Sequence, residues 1–182
     1  TAGKRAGIAW LNLAAGALTL TDVPLTDAAG VLERIGAAEL LVPDGVTPPE
    51  LRGAPPPVRT LPPWQFDHDA ATRALTAQLG TRDLAAFGAA DTPLAVGAAG
   101  ALLHYAGATQ QAALTHVRTL AVEYPDTFVA LDPATRRNLE ITTTLAGDTA
   151  PTLLSLLDHC GTAAGSRLLR QWLLQPLRDQ AA

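Results

Sequence analysis

The chain has 182 residues, and 48% of them are apolar, which is ample for one buried core. It carries 13 basic and 17 acidic residues, for a net charge of −4. Proteins that hold nucleic acid through its phosphates normally show a basic excess, and neither residues 1–130 nor residues 131–182 have one. Strong direct binding of DNA or RNA by this chain is therefore disfavoured.

The cysteine count and the apolar runs exclude further classes. Cys160 is the only cysteine, so neither an intramolecular disulfide nor a cysteine metal cluster can form, and a cytoplasmic location is expected. The longest apolar runs are short and interrupted by glycine, which argues against a membrane span. The chain contains no methionine and ends within the pattern LLQPLRDQAA, so we expect it to be a piece of a longer protein.

The N-terminal stretch predicts an α/β layer. GIAWLNLAAGALTLTDV alternates apolar with small or polar residues on either side of AAG, which is typical of a hairpin. Residues 26–35 have helical spacing, with Thr26 or Asp27 as the N-cap and Gly36 as the stop. AELLVP then predicts a strand. Strand, strand, helix and strand in this order indicate a mixed sheet with flanking helices.

A proline-rich crossing follows this layer. Residues 43–63 contain eight prolines and predict an irregular surface loop in which VRTL is the one candidate strand. Trp64 and Phe66 are expected to anchor the entry of a helix that Asp69 caps and Gly80 ends. The loop also leaves open a different class of function, an interaction module recognised through its prolines.

The rest of the chain changes from mixed to helical. Residues 92–109 predict a long helix, in which Gly97 and Gly100 are expected to allow close packing on the sheet. Strands are predicted in LTHVRTLAVEY and TFVAL. Beyond them the pattern is helical only, with segments expected at 133–145, 151–159 and 162–175. The sequence therefore predicts an α/β domain over residues 1–130 and a helical segment over residues 131–182.

A hairpin-led mixed sheet raises the possibility of a metal-dependent nuclease. Such an enzyme needs carboxylates that converge on divalent ions, the first of them on the opening strand. The only candidate there is Asn12, whose neutral amide is a poor ligand for a hard cation. A displaced nuclease site remains the alternative, and its carboxylates would come from Asp22, Asp67, Asp69 or Asp83.

Other signatures of chemistry are absent from the sequence. No GxxxxGK[ST] or GxGxxG motif is present to cradle a phosphate. The four histidines have no ligand spacing, and Asp67-His68-Asp69 coincides with a predicted helix start, where acidic residues are ordinarily useful. No catalytic, cofactor-binding or metal-binding residue is predicted.

The segment LDPATRRNLEI, residues 131–141, concentrates polar groups in a chain dominated by alanine and leucine. Asp132 as N-cap with proline at the first helical position accounts for its start. Arg136 and Glu140 have the i,i+4 spacing of a helical ion pair. Arg137 and Asn138 are left without a local role. A solvated helix face, a binding site or a junction between two domains would each explain them.

These residues resemble a known family. LDPATRRNLE and the later DHCGTAAGSRLLRQWLLQPL are similar to the segment of bacterial MutS mismatch-repair proteins where the core (lever) domain begins. The upstream stretches GIAWLNLAAGALTLTDV, AELLVP, QLGTRDLAAFG and AAGALLHYAGATQ resemble the MutS connector domain. The resemblance covers essentially the whole chain and is most specific in its C-terminal part.

The resemblance implies a ribonuclease-H-like connector domain without nuclease chemistry, followed by the start of the core domain. Its family role is to couple the mismatch reader to the levers and the ATPase, and to offer a surface to MutL. The position of that surface would be the helix beginning near residue 69, which carries Asp69, Arg73 and Ala74. The implied interdomain junction consists of Asp132, Arg136, Arg137, Asn138 and Glu140.

The resemblance also implies partners and cofactors that lie outside these residues. Neither a Phe-x-Glu wedge nor a P-loop is present, so mismatch reading and the ATP and Mg²⁺ of the ATPase belong to other MutS domains. Homodimerisation and DNA binding are implied for the full-length protein. The apolar faces of the leucine-rich helices in residues 131–182 would pack against the rest of the core domain. We therefore predict that this segment is poorly stable alone.

Overall fold

The computed structural model describes residues 3–51, 55–110, 114–124, 127–129, 131 and 133–179. The chain divides into two compact units, residues 1–124 (unit 1) and 125–182 (unit 2). The domain boundary predicted between residues 130 and 131 stays a prediction, because residues 130 and 132 lie outside the described ones. Over the described residues, no helix is both long and apolar enough to cross a bilayer.

Unit 1 is a mixed α/β unit, as the sequence predicted. Its strands and helices are β1 Arg5–Asn12, β2 Ala17–Pro24, α1 Ala28–Ile35, β3 Leu40–Pro43, β4 Val58–Leu61, α2 His68–Leu79, α3 Pro93–Gln110 and β5 Thr119–Val122. The described strands form two small sheets rather than one. In the first, β1 pairs antiparallel with β2 and β2 pairs parallel with β5, while β3 and β4 form a separate parallel pair.

The β1–β2 hairpin has an apolar layer on each face. Because side chains alternate across a strand, Ala6, Ile8 and Trp10 face one way and pack with α1. Leu18 and Leu20 of β2 face the other way and are fully buried against the cluster formed by α2, α3 and β5. Helix α1 therefore covers one face of the hairpin, and α3 covers the other.

The start of α3 lies close to β1 because of a glycine. Gly7 pairs with Asp22 in the hairpin, and a Cβ atom at Gly7 would lie 2.1 Å from the carbonyl carbon of Leu94. The buried Asp22 accepts a hydrogen bond from the Ala95 amide, with a donor–acceptor distance of 2.7 Å. A strand carboxylate thus satisfies a free N–H in the first turn of α3.

The prediction that the α3 glycines face the sheet is wrong. A Cβ atom at Gly97 would lie 2.4 Å from the carbonyl oxygen of Phe66, in the turn before α2. At Gly100 it would lie 2.3 Å from the Cβ of Ala71, on α2 itself. Gly97 and Gly100 therefore permit α3 to pack closely on α2 and on the turn that precedes it. The close approach of α3 to the sheet is permitted by Gly7 instead.

Capping at α1 also differs from the prediction. Neither Thr26 nor Asp27 caps the helix with its side chain, since the Thr26 hydroxyl donates to the Asp27 carboxylate instead. A 3-10 turn, Leu25–Asp27, leads directly into α1 and removes the need for an extended N-cap residue. Gly36 ends the helix in the left-handed conformation, as predicted.

Unit 2 contains three short helices among its described residues: α4 Pro133–Asn138, α5 Leu153–Leu157 and α6 Ala163–Leu174. The first two are shorter than predicted, because α4 ends before residue 145 and α5 before residue 159. The strand predicted at TFVAL is a single antiparallel bridge between Phe128 and Leu177. In LTHVRTLAVEY, only β5 is a strand, because Leu114–Val117 forms a turn.

Candidate functional site

Helix α2 presents one buried and one exposed face. Ala71 and Leu75 are buried against the core. The N-cap is Asp67, whose Oδ1 accepts from the Ala70 amide at 2.8 Å, so the prediction that Asp69 caps this helix is wrong. The N-cap therefore lies two residues earlier than predicted, because Asp67 is the residue that adopts the extended N-cap conformation.

The three residues proposed for partner binding lie on the exposed face of α2. Asp69, Arg73 and Ala74 are all exposed, and their i, i+4 and i+5 spacing places them on neighbouring turns. Within the described residues, the side chains of Asp69 and Arg73 make no hydrogen bond or ion pair. Ala70 and Ala77 are exposed beside them, so the face is flat and nearly free of long side chains apart from Arg73.

Trp64 lies in the 3-10 turn just before α2 and is 68% exposed. The prediction that it anchors the helix entry is wrong for Trp64, since the partly buried aromatic ring is that of Phe66. Tryptophan is enriched at the energetic centres of protein interfaces, so the exposed ring of Trp64 is a candidate contact for a partner. Hydrophobic periodicity gives no signal for the exposure of Trp64, because this residue lies in a four-residue turn that begins at Pro63.

Of the four acidic residues of the alternative nuclease site, all but Asp69 have structural roles. Asp22 caps α3, Asp67 caps α2, and the Asp83 carboxylate accepts from the Ala85 amide at 3.0 Å. Asn12 is exposed at the end of β1, and its Oδ1 accepts from the Ala15 amide in the hairpin turn. The part of the chain that the structure describes brings together no group of three histidine, cysteine or acidic side chains suited to a metal ion.

In the 131–141 segment, α4 is followed by a sharp turn. Glu140 has a φ of 45°, and its carboxylate accepts a hydrogen bond from the Leu145 amide at 2.7 Å. The Arg136 Nε donates to the Leu131 carbonyl at 3.1 Å. The helical i,i+4 pair predicted for Arg136 and Glu140 is wrong, because α4 ends at Asn138 and the two residues are not on one helix. Asp132 lies outside the described residues.

Arg137 and Asn138 stay without a local partner. Both are exposed at the end of α4, and neither side chain forms a hydrogen bond within the described residues. Leu139, the next residue, is 54% exposed. A guanidinium, an amide and an apolar side chain are thus presented together at a turn.

A hydrogen-bonded loop joins α5 to α6. The Asp158 carboxylate accepts from the Ser166 hydroxyl at 2.9 Å and from the Cys160 amide at 3.2 Å. The hydrogen bond from Ser166, followed by that from Cys160, lowers the pKa of Asp158 below its usual value of 3.8. Partial desolvation and the neighbouring carboxylate raise the pKa of the Cys160 thiol, so this exposed cysteine is not an activated nucleophile.

The helices of unit 2 leave much of their apolar surface in solvent. Leu156 on α5 is 70% exposed and Trp172 on α6 is 63% exposed. Within its described residues, Ile141 is the one hydrophobic side chain that is buried. Exposed apolar surface of this kind marks a surface that another part of a protein covers.

Together these features define a class: an α/β layer domain joined to a helical domain whose apolar faces are incomplete. Comparison with protein-family models matches MutS domain II to residues 2–118 and MutS domain III to residues 134–182. The chain belongs to the MutS family, and it is part of a DNA mismatch-repair protein. Domain II is the connector and domain III the core, and the ATPase domain is not among the matched regions.

Proposed function

We propose that this chain is a non-catalytic coupling element, which links the mismatch-reading domain of a MutS protein to its levers and ATPase and offers a surface to MutL. The observation that carries the proposal is the order of domains II and III in one chain. Near the start of the second, the side chains of Arg137 and Asn138 are exposed and form no hydrogen bond within the described residues. The carboxylates Asp22, Asp67 and Asp83 support it, since each is engaged by backbone amides rather than directed at a common point.

For MutL, we propose the outer face of α2 with Trp64 as its apolar anchor. Arg73 and Asp69 supply charges of both signs, while Ala74 leaves the backbone accessible to a partner side chain. Tryptophan and arginine are the residue types that most often dominate the binding energy of an interface.

Capture of the chain by the N-terminal half of MutL tests this surface. Trp64→Ala and Arg73→Glu should each weaken capture by about tenfold or more, the effect of losing an interface hot spot. Leu13→Ala and Lys4→Glu, which change an exposed apolar and an exposed basic residue at the ends of β1, are the matched controls. Equal capture of all four variants would refute the proposed surface.

For the junction, we propose that Asp132, Arg136, Arg137, Asn138 and Glu140 contribute to contacts with the remaining MutS domains. The exposed side chains of Arg137 and Asn138 support this, since neither forms a hydrogen bond in the part of the chain that the structure describes. In a full-length homodimeric MutS carrying this segment, Arg137→Glu should reduce the response of the ATPase to mismatched DNA without reducing its basal rate. Arg82→Glu, an exposed arginine in unit 1, serves as the control. An unchanged response in Arg137→Glu would contradict the proposal.

We further propose that unit 1 is ribonuclease-H-like and lacks catalysis, that ATP and Mg²⁺ are bound by other domains, and that the protein is cytoplasmic. The hairpin, the parallel strand β5 and the helical cover on each face support the fold.

Titration with mismatched duplex and with ATP should give neither tight binding nor turnover. Incubation with single-stranded DNA and Mn²⁺ should give no cleavage, in the native chain or in Asn12→Asp. Cleavage by either would favour the nuclease alternative.

A further inference from the structure

The last residues of unit 1 are held by several elements at once. Glu123 follows β5 directly, and its amide donates to the Leu20 carbonyl of β2 at 2.8 Å. Tyr124 is the final residue of unit 1. The chain leaves the α/β unit at this point and continues toward the helical unit.

The Glu123 side chain forms an ion pair with Arg34 on α1. Both guanidinium nitrogens, Nη1 and Nη2, contact the two carboxylate oxygens, and the side chains are only 8% and 14% exposed. This paired geometry is the strongest and most directional form of the arginine–carboxylate contact. The guanidinium also lies 5.9 Å from the ring centre of Trp10 on β1, so a third element restrains it.

The Tyr124 side chain reaches a different part of the unit. Its hydroxyl donates to the carbonyl of Gly88 at 3.1 Å. Gly88 has a φ of 72°, and a Cβ atom there would lie 2.6 Å from the tyrosine hydroxyl. The left-handed backbone conformation at this position favours glycine.

We propose that Arg34, Glu123, Tyr124 and Gly88 form an exit clamp, a mechanical anchor that fixes the end of β5 to α1 and to the turn at Gly88. A coupling element can transmit a displacement only if the strand at its exit, here β5, does not detach from the sheet before the displacement is passed on. A four-residue strand has too few ladder hydrogen bonds to prevent that by itself, and the clamp adds contacts to two further elements. The purpose of the clamp rests on the proposed coupling function, whereas its mechanical strength does not.

Single-molecule pulling on the full chain tests the clamp. One handle is attached to the native Cys160 and the other to α3 through His104→Cys, an exposed position. With the clamp intact, unit 1 should open in one step. In Glu123→Gln and in Tyr124→Phe, residues 119–124 should detach first, at lower force and with about 20 Å of released chain. If one variant fails to fold, the other still decides the outcome.

Glu39→Gln is the matched control. It neutralises a carboxylate that accepts from the Tyr105 hydroxyl in the same unit but lies away from the exit. Early detachment confined to the clamp variants would support the proposal. Single-step opening of both clamp variants would overturn it, as would early detachment in the native chain or the control. No MutL, DNA or nucleotide is present, so this result is independent of whether the α2 face binds MutL.

Discussion

The Asp22 carboxylate has the clearest role of any single side chain in unit 1. It lies on β2, is 6% exposed, and caps a helix that begins some seventy residues later in the sequence. The register places Gly7 opposite, where any side chain would push α3 away. The capping partner comes from a strand rather than from the residue preceding the helix, so helix-start patterns do not identify it.

Asp22→Ala should therefore destabilise unit 1 by about 2 kcal/mol, because it leaves a buried backbone donor unsatisfied. Denaturant unfolding measures the change. Asp27→Ala removes an exposed carboxylate whose one hydrogen bond within the described residues comes from its neighbour Thr26, and it should change stability by less than about 0.5 kcal/mol. Equal effects of the two substitutions would contradict the capping role.

The stability of unit 2 should depend on pH through the Asp158 carboxylate. Its pKa is lowered mainly by the Ser166 hydroxyl, so the folded state binds the proton less readily than the unfolded state. The resulting stability is fully present well above the usual value of 3.8, and it is lost as the pH falls through the lower folded pKa. Ser166→Ala should raise this pKa toward 3.8, as measured by carboxyl NMR titration. A pKa that does not move would contradict the assignment of the cause.

Among the elements, α3 depends most on small residues. Of its glycines, Gly100 contacts Ala71 of α2, whereas a Cβ atom at Gly107 would meet nothing within 4 Å. The sequence correctly predicted the helix and the importance of its glycines for packing. It assigned them the wrong neighbour, because spacing along one helix does not say which element lies across from it.

Alanine substitutions at the two glycines should have opposite effects. Gly100→Ala should destabilise unit 1 by about 1–3 kcal/mol, since α2 must move to accommodate the methyl group. Gly107→Ala should stabilise it by about 0.5–1 kcal/mol, because alanine loses less backbone entropy in a helix. Thermal unfolding of both variants measures the difference, and destabilisation by both would contradict this account of α3.

At the scale of the whole molecule, the two units differ in how well they bury apolar groups. Unit 1 has a continuous core that includes Leu18, Leu75 and Val96. Unit 2 exposes Leu156 and Trp172 to solvent. The free energy of folding depends on burial, so the two units should not be equally stable.

Hydrogen exchange on a dilute monomer should therefore separate the units. Amides of β2 and α3 should be protected, while those of α5 and α6 should exchange faster by a factor of about 100 or more, reflecting local opening. Sedimentation in the same buffer is the control for self-association, which would cover the apolar faces. Uniform protection of the described residues of 131–182 in a monomer would contradict the prediction.

Local patterns in the sequence predicted the mixed α/β class, the hairpin, helices α1 to α3, the glycine stops of α1 and α2, and the resemblance to the MutS family. Those features depend on local periodicity, on glycine conformation and on motif spacing, and each of these signals comes from residues close together in the sequence. Three features became visible only in the folded chain: the capping of α3 by Asp22, the exposure of Trp64 and the pairing of Glu123 with Arg34. The Asp22 cap and the Glu123–Arg34 pair join residues distant in sequence, and the exposure of Trp64 depends on which elements pack around its turn. All three follow from how elements pack rather than from the pattern within any one of them.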